Sequence, residues 1–180
     1  MLIAKEKRKT NIAEYVLYMW QVEDVIRAYN FDIELIDKNI ISQFEKPDNV
    51  KREIKNWYAN LILMMHEEYI KKKGHLKFVK DVINDLNNLH IELLTKEKDP
   101  KYSELYKYAE ANIREFKNKL QDPGMNEIEI CLSGLYALLL LRLQKRRVNS
   151  ETTQAMMTFS YLLAMLSKIY KERETISESS

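Results

Sequence analysis

Scarcity of residues that interrupt helices is the feature that most constrains what this chain can fold into. Its 180 residues include three glycines and three prolines, a third or less of average usage. Folds rich in β-structure use both residue types heavily in turns, so their scarcity favours long helices with few breaks. The breaks at Pro47, Gly74, Pro100 and Pro123-Gly124 leave pieces long enough for one or two helices each.

Apolar residues within these pieces recur at steps of three and four, the period of a helix rather than that of a strand. We expect the first long helix to begin at Asn11, which forms a capping-box pattern with Glu14. The basic segment before it is then a separate turn or short helix, and one continuous helix from Leu2 is the alternative. The apolar face of the first long helix consists of Ile12, Tyr15, Val16, Met19, Val22, Ile26 and Tyr29.

The sequence therefore predicts an all-α fold, an antiparallel bundle of six to seven helices. The helix around residues 126–145 opens with the capping pair Asn126 and Glu129 and is apolar on nearly every side, so we expect it to be the most buried. No residue pattern repeats between segments, which favours a bundle over a solenoid. Residues 1–172 are predicted to form a single helical domain, followed by a frayed polar tail over 173–180.

Other helix boundaries follow from capping residues. Asp32, the pair Pro47-Asp48, the pair Asp99-Pro100 and Ser150 are predicted to open helices. Gly74 fits the left-handed position that ends a helix. This places the lysines at positions 71–73 at a helix C-terminus, where cations complement the helix dipole.

Charge and cysteine content exclude several classes of partner. The 29 Lys and Arg residues against 27 Asp and Glu residues give a net charge of +2, too small an excess for a dedicated nucleic-acid binder. The lone Cys131 cannot form an intrachain disulfide, and the charged start lacks the apolar core of an export signal. The apolar run 135–141 is far shorter than a membrane span. We expect a cytoplasmic protein with no nucleic-acid or membrane partner.

Most catalytic signatures are missing from the sequence. Three glycines supply neither a dinucleotide-binding loop nor a phosphate loop, and Ser133-Gly134 lacks the other glycine of a nucleophile elbow. The three histidines show no metal-binding spacing, so no cofactor and no metal are expected. His90 lies within an apolar stripe and is interpreted as a core imidazole bonded to a neighbour.

Polar residues are unusually dense on the first long helix, and they form the candidate site together with two residues from other helices. Arg142 is expected on the apolar side of the most buried helix, where it would need a carboxylate from Glu14, Glu23 or Asp24. A structural ion pair is the favoured interpretation, and a pocket for a small anionic or zwitterionic ligand is the sharper alternative. The candidate residues are Glu14, Tyr18, Gln21, Glu23, Asp24, Arg27, His90 and Arg142.

Residues 11–27, NIAEYVLYMWQVEDVIR, resemble the opening of a family of domains of unknown function found in Bacteroidetes bacteria. Shorter segments resemble the same family in the same order, so that the resemblance covers nearly the whole chain. It implies a single-domain, cytosolic bacterial protein and assigns no activity, substrate or catalytic residue. The shorter segments are Ile41-Ser42-Gln43-Phe44, Trp57-Tyr58, Gly74-His75-Leu76, Leu89-His90 and residues 139–145, LLLRLQK.

These observations predict a non-enzymatic protein that associates with itself or with a protein partner. Eleven tyrosines and eight methionines are residue types enriched at protein interfaces. The alternative is a small-molecule binder or enzyme with an interhelical cavity in which His90 moves protons. That cavity would be formed by Glu14, Glu23, Asp24, His90 and Arg142.

Overall fold

The computed structural model describes residues 2–120 and 123–178, and these ranges contain α-helices and no strand. The all-α prediction is confirmed. The described residues form eight α-helices and a short 3-10 helix at Ile41–Gln43, more than the six to seven expected, because the basic opening forms a helix of its own. The helices are α1 (Leu2–Thr10), α2 (Ile12–Ala28), α3 (Ile33–Asn39), α4 (Asp48–Glu67), α5 (Lys77–Thr95), α6 (Pro100–Leu120), α7 (Glu127–Leu143) and α8 (Ser150–Glu178).

Asn11 separates α1 from α2. Its backbone is extended, with φ −154° and ψ 105°, and its side-chain oxygen accepts a hydrogen bond of 3.1 Å from the backbone N–H of Glu14. This bond satisfies one of the donors that a helix start leaves without a partner. The predicted start at Asn11 is confirmed, and the continuous helix from Leu2 is wrong.

Three other predicted caps are present. The Asp32 side chain accepts from Glu34 and Leu35, Asp99 accepts from Tyr102, and Asn126 accepts from Glu129. The last helix differs by one residue, since Asn149 rather than Ser150 accepts the capping bond, from the N–H of Thr152 at 2.7 Å.

Gly74 does not end a helix. Helix α4 stops at Glu67, where Tyr69 takes the left-handed conformation with φ 57° and the N–H of Ile70 donates to Met65. Gly74, with φ 95°, lies in the connection to α5. The lysines at 71–73 therefore lie in an exposed connection and not at a helix C-terminus.

Helices α2 and α8 lie at the centre of the packing. Helix α2 contacts α1, α4, α5, α7 and α8, and α8 contacts α2, α5, α6 and α7. Nine of the 17 residues of α2 are buried, against six of the 17 residues of α7. The helix around 126–145 is therefore not the most buried, because burial follows the neighbours that surround a helix and not its composition alone.

The predicted boundary at residue 172 falls inside α8. The helix runs to Glu178, and Arg173 pairs with Glu92 at 3.0 Å and with Glu97. These pairs fasten the end of α8 to α5 and to the segment after it, so the expected tail is helical as far as 178, and 179–180 lie outside the described residues. No helix in the described ranges is both long enough and apolar enough to cross a membrane.

Gly134 sets the distance between α7 and α8. A Cβ atom at this position would lie 2.9 Å from Cε2 of Phe159 and 3.0 Å from the sulfur of Met156. Both contacts are closer than van der Waals packing allows, and Phe159 is fully buried. The missing side chain therefore permits the close approach of the two helices.

We expect Gly134→Val to destabilise the protein by about 2 kcal/mol, because its side chain must displace buried Phe159. Chemical unfolding in urea measures the change. Ala137→Val, one turn along the same helix at a half-buried position, is the matched control for a β-branched residue and is expected to cost less than about 1 kcal/mol. Equal losses in the two variants would contradict the packing argument.

Candidate functional site

A fully buried carboxylate, that of Glu23, lies at the centre of the polar residues of α2. Its Oε1 accepts a 2.9 Å hydrogen bond from the backbone N–H of Leu76. Its Oε2 lies 2.6 Å from Nδ1 of His75. A carboxylate removed from water needs such partners to offset its lost hydration. The two bonds join α2 to the connection that leads into α5.

Aromatic contacts extend this arrangement. The ring of His75 stacks on Trp20 at 4.4 Å between centroids, and Tyr136 of α7 meets Trp20 edge-on at 5.5 Å. The Tyr136 hydroxyl donates a 2.6 Å hydrogen bond to Asp24. Burial and this carboxylate raise the pKa of Tyr136 above its ordinary value, so the hydroxyl stays protonated as a donor.

Arg27 is the last member of this cluster of bonded side chains. Its Nη1 pairs with Asp24 at 3.1 Å, and its Nη2 donates to the carbonyl oxygens of Ile70 and Gly74. One guanidinium thereby holds two points of the α4–α5 connection against α2. We refer to this set as the α2 network: Trp20, Glu23, Asp24, Arg27, His75 and Tyr136.

Among the side chains of the α2 network, those of His75 and Asp24 reach solvent, at 28% and 48% exposed. The bond to Glu23 occupies Nδ1 of His75, which orients the ring and leaves Nε2 at its other edge. Within the described residues, Nε1 of Trp20 and Nε of Arg27 are buried without a hydrogen-bond partner.

His90 belongs to a second network. It is buried, with Nδ1 at 2.7 Å from the Tyr102 hydroxyl and Nε2 at 3.1 Å from Glu127. The hydroxyl of Tyr106 donates to the same carboxylate at 3.2 Å. The hydrogen bond from His90 is the main cause that lowers the pKa of Glu127, against the opposing effect of burial, and burial raises the pKa of Tyr106 to about 12. This is the environment expected of a core imidazole.

Other candidates on α2 lie apart from these networks. Glu14 is exposed and pairs with Lys7 at 2.7 Å. Gln21 donates to the carbonyl of Leu17 within its own helix. Tyr18 is half-buried, and burial raises the pKa of its hydroxyl.

Arg142 is exposed, so the expectation that it lies buried against a carboxylate of α2 is wrong. It lies in the last turn of α7, where a cation complements the helix dipole from solvent. The carboxylates considered as its partners are bonded elsewhere: Glu14 to Lys7, Glu23 to His75, and Asp24 to Arg27. The structure brings Glu23, Asp24 and Arg27 together and leaves Glu14, His90 and Arg142 outside that cluster.

Sequence reasoning missed His75 and Glu127, each of which anchors one network. The density of polar groups on α2 indicated that these groups needed partners. His75 and Glu127 nevertheless each follow a break in the chain and lie outside the helix whose residue they bond. Within the described residues, no three His, Cys, Asp or Glu side chains lie together as a metal-binding group would require.

Helix α8 presents an exposed face without charge. No charged residue occurs from 152 to 167, although 31% of the whole chain is charged. Met157 is 46% exposed and Tyr161 is 55% exposed, and the small residues between and beside them also face solvent. We refer to this surface as the α8 face: Gln154, Met157, Ser160, Tyr161 and Ala164.

Helix α6 lies next to this face. The side chain of Asn112 on α6 donates a 3.1 Å hydrogen bond to the Thr158 hydroxyl on α8. Tyr108, one turn before Asn112, is 66% exposed. An exposed tyrosine therefore occurs on α6 as well as on α8.

Comparison with known proteins identified one relationship. A family model described as a domain of unknown function, DUF4924, matches residues 1–177. No curated protein and no solved structure matches the chain. The resemblance found in the sequence to a domain of unknown function over nearly the whole chain is thereby confirmed.

We expect Glu23→Leu to lower the free energy of unfolding by about 2 kcal/mol, because it leaves the buried N–H of Leu76 without an acceptor. Urea unfolding measures this loss. Glu14→Leu is the control on the same helix and is expected to cost less than about 1 kcal/mol, since it removes only an exposed ion pair. A Glu23→Leu variant as stable as the unmodified protein would show that the carboxylate does not hold the connection.

The second network predicts a pH dependence. The pKa of Glu127 is lower in the folded protein than its ordinary value, so its contribution to stability is present above that ordinary pKa and is lost as pH falls through the folded pKa. The stability difference between the unmodified protein and Glu127→Gln should be largest at neutral pH and shrink at acidic pH. Thermal unfolding from pH 7 to pH 3 measures it, and a constant difference would contradict the assignment.

Proposed function

Because the chain belongs to the DUF4924 family of domains of unknown function, we propose its function from its surface and its buried networks. It is a non-enzymatic cytoplasmic protein of Bacteroidetes bacteria that associates with a second copy of itself through the α8 face. The observation that carries this proposal is the exposed, uncharged surface of α8 around Met157 and Tyr161.

Depletion of charge with enrichment in Tyr and Met is the composition of an interface core. A monomeric protein gains solubility from charged side chains, and about one residue in three of this chain is charged. The sixteen residues from 152 to 167 contain none, while charged residues stand near both ends of the face: Glu151 before it, and Lys168 with Glu172 after it. This order corresponds to an apolar centre with a polar rim.

A second copy of the chain is the partner that the α8 face fits. A charged partner would lose hydration at the centre of this face and find no counter-charge there. The same face on another copy supplies an uncharged surface with both large side chains, Met157 and Tyr161, and small ones, Ser160 and Ala164. Large residues of one copy then pack beside small residues of the other about a two-fold axis.

The two polar networks support a non-enzymatic role. The carboxylates of Glu23 and Glu127 are bonded to histidines, tyrosines or backbone N–H groups of the same chain. A catalytic carboxylate needs an open contact with a substrate. These two instead fix the positions of helices and of the connection between them.

Light scattering coupled to size-exclusion chromatography tests self-association. We expect the unmodified protein to have twice the mass of one chain at micromolar concentration, and Tyr161→Lys to weaken the dimer at least about 30-fold, since a lysine replaces an aromatic residue at the centre of the interface.

Leu63→Lys is the matched control for this test. Leu63 is 60% exposed on α4, so the same charge is added to another exposed apolar position. It should leave the dimer intact. A monomer at every concentration, or an undiminished dimer in Tyr161→Lys, would overturn the proposal.

A further inference from the structure

A cavity of about 300 Å³ lies where α1 meets α2, α4 and α5. We propose that it binds a small organic anion with a flat aromatic body, such as an aromatic carboxylate or phosphate. Its volume is at the lower end of the range for small-molecule sites. The residues that line it are Ala4, Lys5, Arg8, Lys9, Tyr15, Met19, Trp57 and Phe78.

The charge of the lining is the first argument. Three cations, Lys5, Arg8 and Lys9, line the cavity with no acidic residue among them. Lys5 and Lys9 are four residues apart on α1, a spacing at which like charges destabilise a helix. In the described part of the chain neither lysine forms an ion pair, whereas Lys7 on the same helix pairs with Glu14. An anion in the cavity would supply the missing counter-charge.

Arg8 provides the second argument. Its Nη2 makes a long contact of 3.4 Å with Glu174, and its guanidinium carbon lies 5.5 Å from the centre of the Tyr15 ring. The Arg8 side chain is 39% exposed, and an anionic oxygen in the cavity is the strongest acceptor that its guanidinium can meet.

The aromatic walls define the rest of the ligand. Tyr15, Trp57 and Phe78 come from three different helices, α2, α4 and α5. Trp57 packs edge-on against Tyr58 at 5.2 Å, which restricts its orientation. A flat ring can stack between such side chains, while its acidic group lies toward α1.

This site is separate from the α8 face. None of the residues that line the cavity belongs to α8, and none of the residues of the α8 face lines the cavity. A result against self-association would therefore leave the proposed anion site unaffected. A result against the anion site would likewise leave the proposed self-association unaffected.

Calorimetric titration of the full-length protein tests the proposal. The probes are 1-naphthoate and 1-naphthyl phosphate, with inorganic phosphate and the neutral 1-naphthalenemethanol for comparison. We expect both aromatic anions to bind at least tenfold more tightly than either comparison compound, and the stronger of the two identifies the acidic group. Absence of binding by both anions, or equal binding by the neutral compound, overturns the proposal.

Substitutions within α1 test the location. The double variant Lys5→Gln/Lys9→Gln should weaken binding of the tighter anion at least tenfold. The control variant Lys7→Gln/Lys71→Gln makes the same two substitutions outside the cavity. Its affinity for the anion should stay within about twofold of that of the unmodified protein. Trp57→Leu should weaken binding of the aromatic anion and leave binding of inorganic phosphate unchanged. Circular dichroism confirms that each variant remains helical, and equal losses in the two double variants would place the binding elsewhere.

Discussion

The arrangement of the first half of the chain depends on the hydrogen bonds of the buried Glu23 carboxylate. It bonds the backbone of Leu76 and the ring of His75, so the start of α5 is fixed against α2. Arg27 adds bonds to two carbonyl oxygens of the same connection. A carboxylate with no exposed surface is stable only because these partners are supplied by one short segment.

A chain with three glycines must end most of its helices without them. In the part of the chain that the structure describes, five residues other than glycine have a positive φ, a conformation that costs about 1 kcal/mol or more for a residue with a side chain. The hydrogen bonds that close α2, α4 and α7 offset this cost, since the N–H of Phe31, Ile70 and Arg146 each donates to a carbonyl five residues earlier. The scarcity of glycine therefore accounts both for the long helices and for the strained residues at their ends.

The two proposed surfaces differ in the kind of partner that they can accept. The α8 face has no charge over sixteen residues, so it suits another uncharged surface. The cavity beside α1 combines three cations with three aromatic rings, so it suits a small anion and excludes a second apolar face. The α2 network belongs to neither surface, because its polar groups mainly hold secondary-structure elements in place.

Local sequence determined the helical class, the starts at Asn11, Asp32, Asp99 and Asn126, and the polar density of α2. Each of these depends on residues within one or two turns, where a side chain and a backbone N–H meet whatever the rest of the chain does. Tertiary structure alone decided the rest. It gave α2 more buried residues than α7, left Arg142 in solvent, and brought His75 and Glu127 to their partners. Burial and pairing between distant elements depend on which helices become neighbours, and no spacing along the chain encodes that choice.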